Sequence, residues 1–271
     1  MERNIKNRVL VEVNGLSKKF CKDLKLNMYY GISELIKSNL GIDEKYNNLR
    51  ENEFWALKDI SFKINGGDIV ALLGINGSGK TTLIRILAEI YALQKGKIQY
   101  PDQHLKVISI FALKSGFHPS LTGRENLYLN GAYFGLSRSD VDNNMPFIKS
   151  FSSIGTYLDT PFGKYSSGMR TRLAMSLALS IKADLLFVDE AFSFSDPAFK
   201  EKCFDLLKKR YSDPGKALII ATHRLGKIEN LANRILLLDK GRLIMDTHDV
   251  TEGMNKYLSI CEDLNKEKHD S

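Results

Sequence analysis

A glycine-rich stretch between an apolar run and a helical pattern is the feature that most limits how this chain can fold. Residues 74–81 read Gly-Ile-Asn-Gly-Ser-Gly-Lys-Thr, which is the pattern G-x-x-x-x-G-K-T. The apolar residues 69–73 before it are typical of a buried parallel strand, and residues 82–88 after it have helical spacing. In a strand–turn–helix of this kind, glycines let several backbone N–H groups point at one phosphate chain, and the helix N-terminus adds positive charge. The pattern therefore predicts a phosphate-binding loop, the P-loop.

The side chains of the P-loop have separate predicted roles. Lys80 reaches the β- and γ-phosphates of a nucleotide, and the Thr81 hydroxyl ligates Mg²⁺. The other predicted nucleotide contacts in this stretch are Gly74, Asn76, Gly77, Ser78, Gly79 and Thr82. The alternative is a glycine turn that binds nothing, and the strand, the helix, the lysine and the threonine together argue against it.

An apolar strand that ends in two carboxylates supplies the second half of a nucleotide site. Residues 185–188 are apolar and are followed by Asp189 and Glu190. Asp189 fits a residue that holds Mg²⁺ through water, and Glu190 fits one that accepts a proton from an attacking water. A further buried strand, residues 217–221, leads to His223, and open α/β sheets bind ligands at such strand ends. The combination predicts a nucleoside triphosphatase in which His223 contacts the γ-phosphate.

Composition narrows the class of protein. The 271 residues allow one large domain with a small appendage, and contents of 43% hydrophobic and 26% charged residues are ordinary for a globular protein. No apolar run approaches the roughly 18 residues that span a membrane, and residues 1–8 have no apolar signal core, so we expect a cytosolic protein. The three cysteines lack metal-ligand spacing. The net charge of +7 suits nucleotide phosphates, an anionic membrane face or nucleic acid, and does not choose among them.

An unusual insert, residues 21–53, separates the first predicted strand (residues 9–13) from the next (residues 54–64). Apolar residues at helical spacing lie within it, among several lysines: Met28, Ile32, Leu35, Ile36 and Leu40. They predict an amphipathic helix that lies either at a membrane surface or membrane partner, or against its own domain, and the pattern leaves both open. Farther along the chain, before residue 183, the pattern changes from strands to helices, which predicts a helical subdomain inserted in an α/β core.

The stretch that distinguishes among P-loop ATPases is residues 164–170, Lys-Tyr-Ser-Ser-Gly-Met-Arg. It resembles the signature motif of ABC-type ATPases, in the form YSSGM rather than the commoner LSGGQ. The resemblance implies that this turn at a helix start is a second phosphate-binding element. It contacts the ATP that is bound to the P-loop of another copy, in a head-to-tail dimer with two ATP molecules between the chains. The implied nucleotide contacts are Tyr165, Ser166, Ser167, Gly168 and Met169.

The resemblance to ABC-type ATPases covers roughly residues 9–246 and implies further roles. Phe20 matches the aromatic residue that stacks on adenine, although an aromatic residue at such a place is more often part of a core. Residues 193–196 match the D-loop, with Asp196 at the partner interface and among the nucleotide-site residues. His223 matches the switch histidine, which senses or stabilises the γ-phosphate.

The implied fold is α/β: a P-loop ABC-type nucleotide-binding domain with a mixed sheet, an antiparallel β subdomain and an inserted helical subdomain. We expect this ATPase domain over residues 1–246, with the helical subdomain over about residues 113–182. A short C-terminal helix and tail follow over residues 247–271, which are too few for the carbohydrate-binding domain that some relatives carry.

Three features narrow the resemblance to the ATPase subunits of ABC exporters for lipid-linked bacterial surface polysaccharides, which include O-antigen, teichoic acid and capsule exporters. The first is Gly-Phe-His-Pro at residues 116–119 followed by Leu-Thr-Gly-Arg-Glu-Asn, without the usual Q-loop glutamine near Leu113. The second is Tyr-Ser-Ser-Gly-Met-Arg, and the third is the amphipathic insert followed by residues 54–59. The resemblance places the insert near the cytoplasmic mouth of the channel, and the missing glutamine leaves Mg²⁺ coordination from this loop open.

The resemblance also implies the cofactors and partners. ATP and Mg²⁺ are bound by a homodimer of ATPase subunits that docks on a transmembrane permease, peripherally at the cytoplasmic face of the cell inner (plasma) membrane. The cargo is a lipid-linked polysaccharide, and no nucleic acid is expected. The alternatives are an ABC ATPase for another lipid or small-molecule cargo, a soluble ABC ATPase that acts on nucleic acid or ribosomes, and an inactive ATP-binding regulator.

Overall fold

The computed structural model describes residues 8–23, 25–26, 28–30, 48–111, 116–189, 196–223, 226 and 228–269, with side chains up to residue 264. Its strands are β1 (Val9–Cys21), β2 (Glu53–Asn65), β3 (Ile69–Leu73), β4 (Lys95–Gln99), β5 (Val107–Ile110), β6 (Leu185–Asp189), β7 (Ala217–Ala221), β8 (Arg234–Asp239) and β9 (Arg242–Thr247). Its α-helices are α1 (Lys80–Leu87), α2 (Gly123–Tyr133), α3 (Arg138–Ser152), α4 (Ser167–Ser180), α5 (Pro197–Tyr211), α6 (Ile228–Leu231) and α7 (Val250–His269). None of the helices in these ranges has the length and apolar character needed to cross a membrane.

A six-stranded mixed sheet forms the centre of the molecule, in the order β5-β6-β7-β3-β8-β9. The first five strands in this order, β5, β6, β7, β3 and β8, are parallel to one another. The last strand, β9, pairs with β8 as an antiparallel hairpin. Every residue of β3 and β7 is buried, as expected for parallel strands covered on both faces. Ile69, Ala71 and Leu73 of β3 pack into one hydrophobic cluster, and Val70 and Leu72 pack into another. The sheet therefore separates two cores.

Different elements cover the two faces of this sheet. The first face packs against residues from α4, α5, α6 and α7. The second face packs against α1 and against β1 and β2, which belong to a three-stranded antiparallel sheet in the order β2-β1-β4. The strand predicted at residues 9–13 continues to Cys21, through register shifts after Val13 and Leu16 that interrupt its alternation.

The helices α2, α3 and α4 enclose a third, separate cluster, which is the helical subdomain that the sequence predicted. Two capping boxes fix the helix starts: Thr122 and Glu125 begin α2, and Ser137 and Asp140 begin α3. Pro146 lies inside α3.

Some sequence predictions fall largely or wholly outside the described residues. Within the insert, only residues 21–23, 25–26, 28–30 and 48–53 are described, and residues 25–26 and 28–30 are helical. The position near Leu113, where the family carries a glutamine, is also outside the described part of the chain.

A buried ion-pair network around Arg234 holds the base of the large sheet together. The Arg234 guanidinium donates to the Asp68 carboxylate and to the Asp246 carboxylate, each at 2.7 Å, and to the Lys63 carbonyl at 2.8 Å. These contacts join the start of β3 to β2, β8 and β9. Because Arg234 and Asp68 are both buried, removal of either charge leaves the other without compensation.

We expect the substitution Arg234→Gln to lower the free energy of unfolding by about 3 to 5 kcal/mol, because it leaves the Asp68 carboxylate buried without its cation. Denaturant titration followed by circular dichroism measures the change. The control is Lys63→Gln, which breaks an ion pair with Glu12 in which the lysine side chain is 56% exposed, and which should leave stability nearly unchanged. Equal losses in the two variants would contradict this account of the network.

Candidate functional site

The pairing of β6, β7 and β3 brings the predicted nucleotide residues to one edge of the sheet. Asp189 pairs with Ala221, and Ala221 pairs with Leu72, so these three residues form one row across three parallel strands. The P-loop begins two residues after Leu72, and His223 lies two residues after Ala221. The carboxyl ends of parallel strands are where open α/β sheets bind ligands. The structure therefore places these parts of the site together.

Glycine residues shape the turn between β3 and α1. Gly79 has φ of 107°, and a Cβ atom there would lie 2.6 Å from the Ala56 carbonyl oxygen. Gly77 has φ of 83° and faces open space. Both conformations favour glycine, and the close approach at Gly79 leaves no room for a larger residue.

The N-terminus of α1 is open to an anion. Gly79 is its N-cap, no described side chain caps it, and its first turn carries no acidic residue. The first N–H groups of a helix lack intrahelical partners and carry partial positive charge. The Ser78 hydroxyl oxygen is buried and has no hydrogen-bond partner among the described residues. These features fit a bound phosphate chain.

Lys80, Thr81 and Asp189 converge beside this helix end. The Lys80 ammonium group is 5% exposed and donates to the Gly74 and Ile75 carbonyls at 2.7 and 3.0 Å. The Thr81 hydroxyl donates to an Asp189 carboxylate oxygen at 3.2 Å, although the two residues are 108 positions apart in the chain. Hydroxyl and carboxylate oxygens are the hard donors that Mg²⁺ prefers. This pair of residues therefore fits a shared magnesium ion.

Phe20 lies half-buried in an aromatic cluster at the end of β1. Its ring centroid is 5.8 Å from that of Tyr91 and 6.3 Å from that of Phe54, and the Lys18 ammonium group lies 5.5 Å from its centroid. The exposure of the Phe20 ring is therefore intermediate between that of a core residue and that of a ring exposed for stacking on a base. The predicted stacking on adenine stays a prediction.

His223 follows β7, and the backbone at Thr222 and His223 makes hydrogen bonds to two different elements. The preceding residue, Thr222, donates its N–H to the Leu72 carbonyl at 3.2 Å, which continues the pairing with the P-loop strand. The His223 carbonyl accepts a hydrogen bond from the Tyr257 hydroxyl at 2.9 Å. This second contact could not be predicted from the sequence, because it depends on how α7 packs.

The signature turn, residues 165–169, divides into an exposed part and a buried part. Ser166 is the N-cap of α4 and accepts from the Met169 N–H at 3.2 Å, and Ser166 and Ser167 are both exposed. A Cβ atom at Gly168 would meet only the Ser166 hydroxyl, at 3.9 Å, so the turn is open at that point. Ser166, Ser167 and Gly168 can therefore meet a phosphate from outside the chain.

The Tyr165 side chain corrects one part of that prediction. It is 4% exposed, packs in the core of the helical subdomain, and donates its hydroxyl to the Tyr157 carbonyl at 2.5 Å. The hydroxyl end of its ring lies beside Gly123. Met169 also packs partly against this core. Tyr165 thus supports the turn and does not present its side chain to a nucleotide.

Asp196 and Arg172 join two helices near the predicted D-loop. The Asp196 carboxylate is the N-cap of α5, where it accepts from the Ala198 and Phe199 N–H groups at 3.1 Å each. Its second oxygen lies 3.7 Å from the Arg172 guanidinium on α4. No sequence pattern marks Arg172 as a site residue, because one arginine on a helix is ordinarily a solvated residue. Glu190 and residues 193–195 lie outside the described residues.

Comparison with known proteins identifies the family that the sequence motifs resemble. The family model described as ABC transporter matches residues 57–193. The O-antigen export system ATP-binding protein RfbB of Klebsiella pneumoniae is 35% identical over 195 residues, which are 72% of this chain and 78% of that protein. The teichoic acids export ATP-binding protein TagH of Listeria monocytogenes serotype 4b is 35% identical over 217 residues, which are 80% of this chain and 63% of that protein. The chain thus spans less than two thirds of the length of some of the curated relatives it matches.

A solved structure confirms the fold class. The dimeric structure of an ATP-binding cassette in a post-hydrolysis state, bound to ADP and Pi, superposes with a TM-score of 0.65 over 88% of this chain and 97% of that chain. The two sequences are 19% identical, so the likeness shows the fold. The α/β architecture with a mixed sheet, an antiparallel β sheet and added helices is the one that the sequence predicted.

We expect the substitution Phe20→Ala to weaken binding of a fluorescent ATP analogue about tenfold. Stacking of an aromatic ring on a base contributes about 1 to 3 kcal/mol, and about 1.4 kcal/mol corresponds to a tenfold change in affinity. The kcat for ATP hydrolysis should change by less than about twofold, since the same stacking is present before and during the reaction. The control is Phe54→Ala, which removes the opposing ring on β2 and should leave affinity unchanged. Unchanged affinity in Phe20→Ala would assign Phe20 to the core.

Proposed function

The chain belongs to the ABC transporter family, and from that premise we propose that it is the ATP-hydrolysing subunit of a bacterial exporter for a lipid-linked surface polysaccharide. The observation that carries the ATPase part is the contact between Thr81 and Asp189 beside the uncapped N-terminus of α1. The polysaccharide part is supported by relatives whose names are those of O-antigen and teichoic acid export proteins.

In the proposed mechanism, the P-loop holds the phosphate chain of ATP. The N–H groups at the start of α1 donate to phosphate oxygens, and Lys80 exchanges the Gly74 and Ile75 carbonyls for the β- and γ-phosphates. Thr81 and Asp189 would hold Mg²⁺. When bound there, Mg²⁺ supplies positive charge against the charge that develops on the transferring phosphoryl group.

Hydrolysis needs groups that orient water and move one proton. Glu190 accepts a proton from the attacking water as the water oxygen bonds to the γ-phosphorus, and the bond from that phosphorus to the β-phosphate oxygen breaks. His223 stabilises the γ-phosphate oxygens from the end of β7. The products are ADP and phosphate, and the contribution of the protein is mainly positioning and charge stabilisation.

The active form in this proposal is a head-to-tail homodimer that docks on a transmembrane permease at the cytoplasmic face of the inner membrane. The exposed signature residues Ser166, Ser167 and Gly168 would complete the site around the ATP on the partner P-loop. The open turn at the start of α4 supports this arrangement, and the similar cassette with ADP and Pi is dimeric. ATP binding then closes the dimer, and hydrolysis opens it and resets the channel.

We expect the substitution Glu190→Gln to retain ATP binding and to lower the hydrolysis rate about a hundredfold or more, because an amide does not accept the proton from water. Phosphate release assays measure the rate, and size-exclusion chromatography with ATP should show a stable dimer of the variant. The control is Glu201→Gln, an exposed carboxylate on α5, with hydrolysis at the wild-type rate. Undiminished hydrolysis by Glu190→Gln would remove Glu190 from the proposed role.

The cargo is tested in cells. We expect deletion of the gene to abolish surface polysaccharide and to accumulate lipid-linked polymer inside the cell, because synthesis continues while export stops. Complementation with the wild-type gene should restore the surface polymer, and complementation with the Glu190→Gln variant should not. Separate measurement of surface and internal glycan gives the result, and the isolated glycan identifies the cargo.

Unchanged glycan pools after deletion would overturn the polysaccharide assignment and leave the ATPase chemistry in place. Binding and hydrolysis measurements on the purified wild-type protein then distinguish the remaining alternatives. Salt-dependent binding to RNA or DNA without a membrane partner favours a nucleic-acid function, and stimulation of hydrolysis by another lipid favours another cargo.

A further inference from the structure

The helix α7 packs tightly on the first core of the large sheet. A Cβ atom at Gly253 would lie 2.7 to 2.8 Å from three side-chain atoms of Ile235 on β8, so only glycine permits this approach. Other residues of the helix pack against the same core cluster: Val250, Met254, Tyr257, Ile260 and Cys261. The helix therefore has a fixed position relative to β8, although it lies beyond the segment matched by the family model.

Tyr257 extends this docking to the end of β7. Its side chain is 6% exposed, and its hydroxyl donates to the His223 carbonyl oxygen at 2.9 Å across 34 positions of the chain. A buried phenol needs a hydrogen-bond partner. Here that partner is the backbone of a residue to which the proposed function gives a role in hydrolysis.

The backbone around His223 is thus held by two different elements. The Thr222 N–H donates to the Leu72 carbonyl of the P-loop strand, and the next peptide presents its carbonyl to α7. The first contact belongs to the sheet and is repeated along β7. The second comes from a side chain and holds the His223 carbonyl group, whose direction is coupled to the backbone from which the imidazole extends.

The donor is present at every pH at which the protein would work. Burial, together with the neighbouring Cys261 side chain, raises the pKa of Tyr257 to about 12. The phenol therefore stays protonated and continues to donate its hydrogen bond.

We propose that Tyr257 is a positioning residue for His223, so that α7 is a working part of the hydrolytic site. The inference rests on the proposed role of His223 in ATP hydrolysis. The phenol does not touch the nucleotide, and it acts by holding the His223 backbone in the conformation that directs the imidazole to the γ-phosphate.

The test is the substitution Tyr257→Phe, which removes the hydroxyl and keeps the ring that fills the core. We expect kcat for ATP hydrolysis to fall about three- to tenfold, the range that one lost hydrogen bond gives. KM and the affinity for an ATP analogue should change by less than about twofold, because the P-loop contacts are unaltered.

A matched control separates this effect from a general loss of stability. Tyr100→Phe removes another phenol that donates to a backbone carbonyl, that of Leu87 at the end of α1, and kcat should stay unchanged. A second comparison repeats Tyr257→Phe in a His223→Ala background, where it should have no further effect because the group that it positions is gone. An unchanged kcat in Tyr257→Phe, or an equal fall in both backgrounds, would overturn the inference.

Hydrogen exchange distinguishes this inference from the proposed function. If the wild-type protein binds ATP and does not hydrolyse it, the proposed function fails, and the exchange rate of the peptide that contains His223 still tests the contact. Faster exchange in Tyr257→Phe than in wild type and Tyr100→Phe supports the positioning by α7. Equal exchange in all three proteins overturns it.

Discussion

The register of the three parallel strands β6, β7 and β3 is the constraint on which the candidate site depends. It places Asp189, Ala221 and Leu72 in one row, and the contact between Thr81 and Asp189 follows from that row. A slip of two residues would move Asp189 about 7 Å along its strand, too far to share a metal ion with Thr81. A slip of one residue would turn its side chain to the other face. The packing of these buried strands between the two cores therefore maintains the site, although most of their apolar residues do not belong to it.

The two helix starts in the proposed dimer site differ in how they meet an anion. The N-terminus of α1 has no side-chain cap among the described residues, so its first N–H groups are available for the phosphate chain. The start of α4 uses the Ser166 hydroxyl to satisfy the Met169 N–H, and it keeps an open surface at Gly168. The first helix start therefore has the donors that a phosphate chain needs. The second has fewer available donors, which suits a surface that adds to a nucleotide already held by another copy.

The sequence predicted the parts of the site that depend on local pattern. The P-loop, the strand that ends at Asp189 and the strand before His223 each combine a buried strand with a chemical motif a few residues long, so short-range order determines them. The extent of β1 was underestimated, because register shifts after Val13 interrupt the alternation that marks a strand. The orientation of the Tyr165 side chain and the partner of Tyr257 could not be predicted, since tertiary packing decides both. The proposed dimer came from the family resemblance, because no pattern within the chain predicts it.

The two faces of the large sheet have different relations to the site. On one face, α1 begins at the P-loop and carries the groups that we propose hold phosphate. On the other face, side chains from helices contact the segments that follow β6 and β7, since Arg172 on α4 reaches Asp196 and Tyr257 on α7 reaches His223. Both of these helices pack into the same core cluster, and α4 carries the signature turn at its start. A shift of α4 relative to that core would therefore move the Asp196 contact and the signature turn together, so the face covered by α4 and α7 links the signature turn physically to the segments that follow the strands.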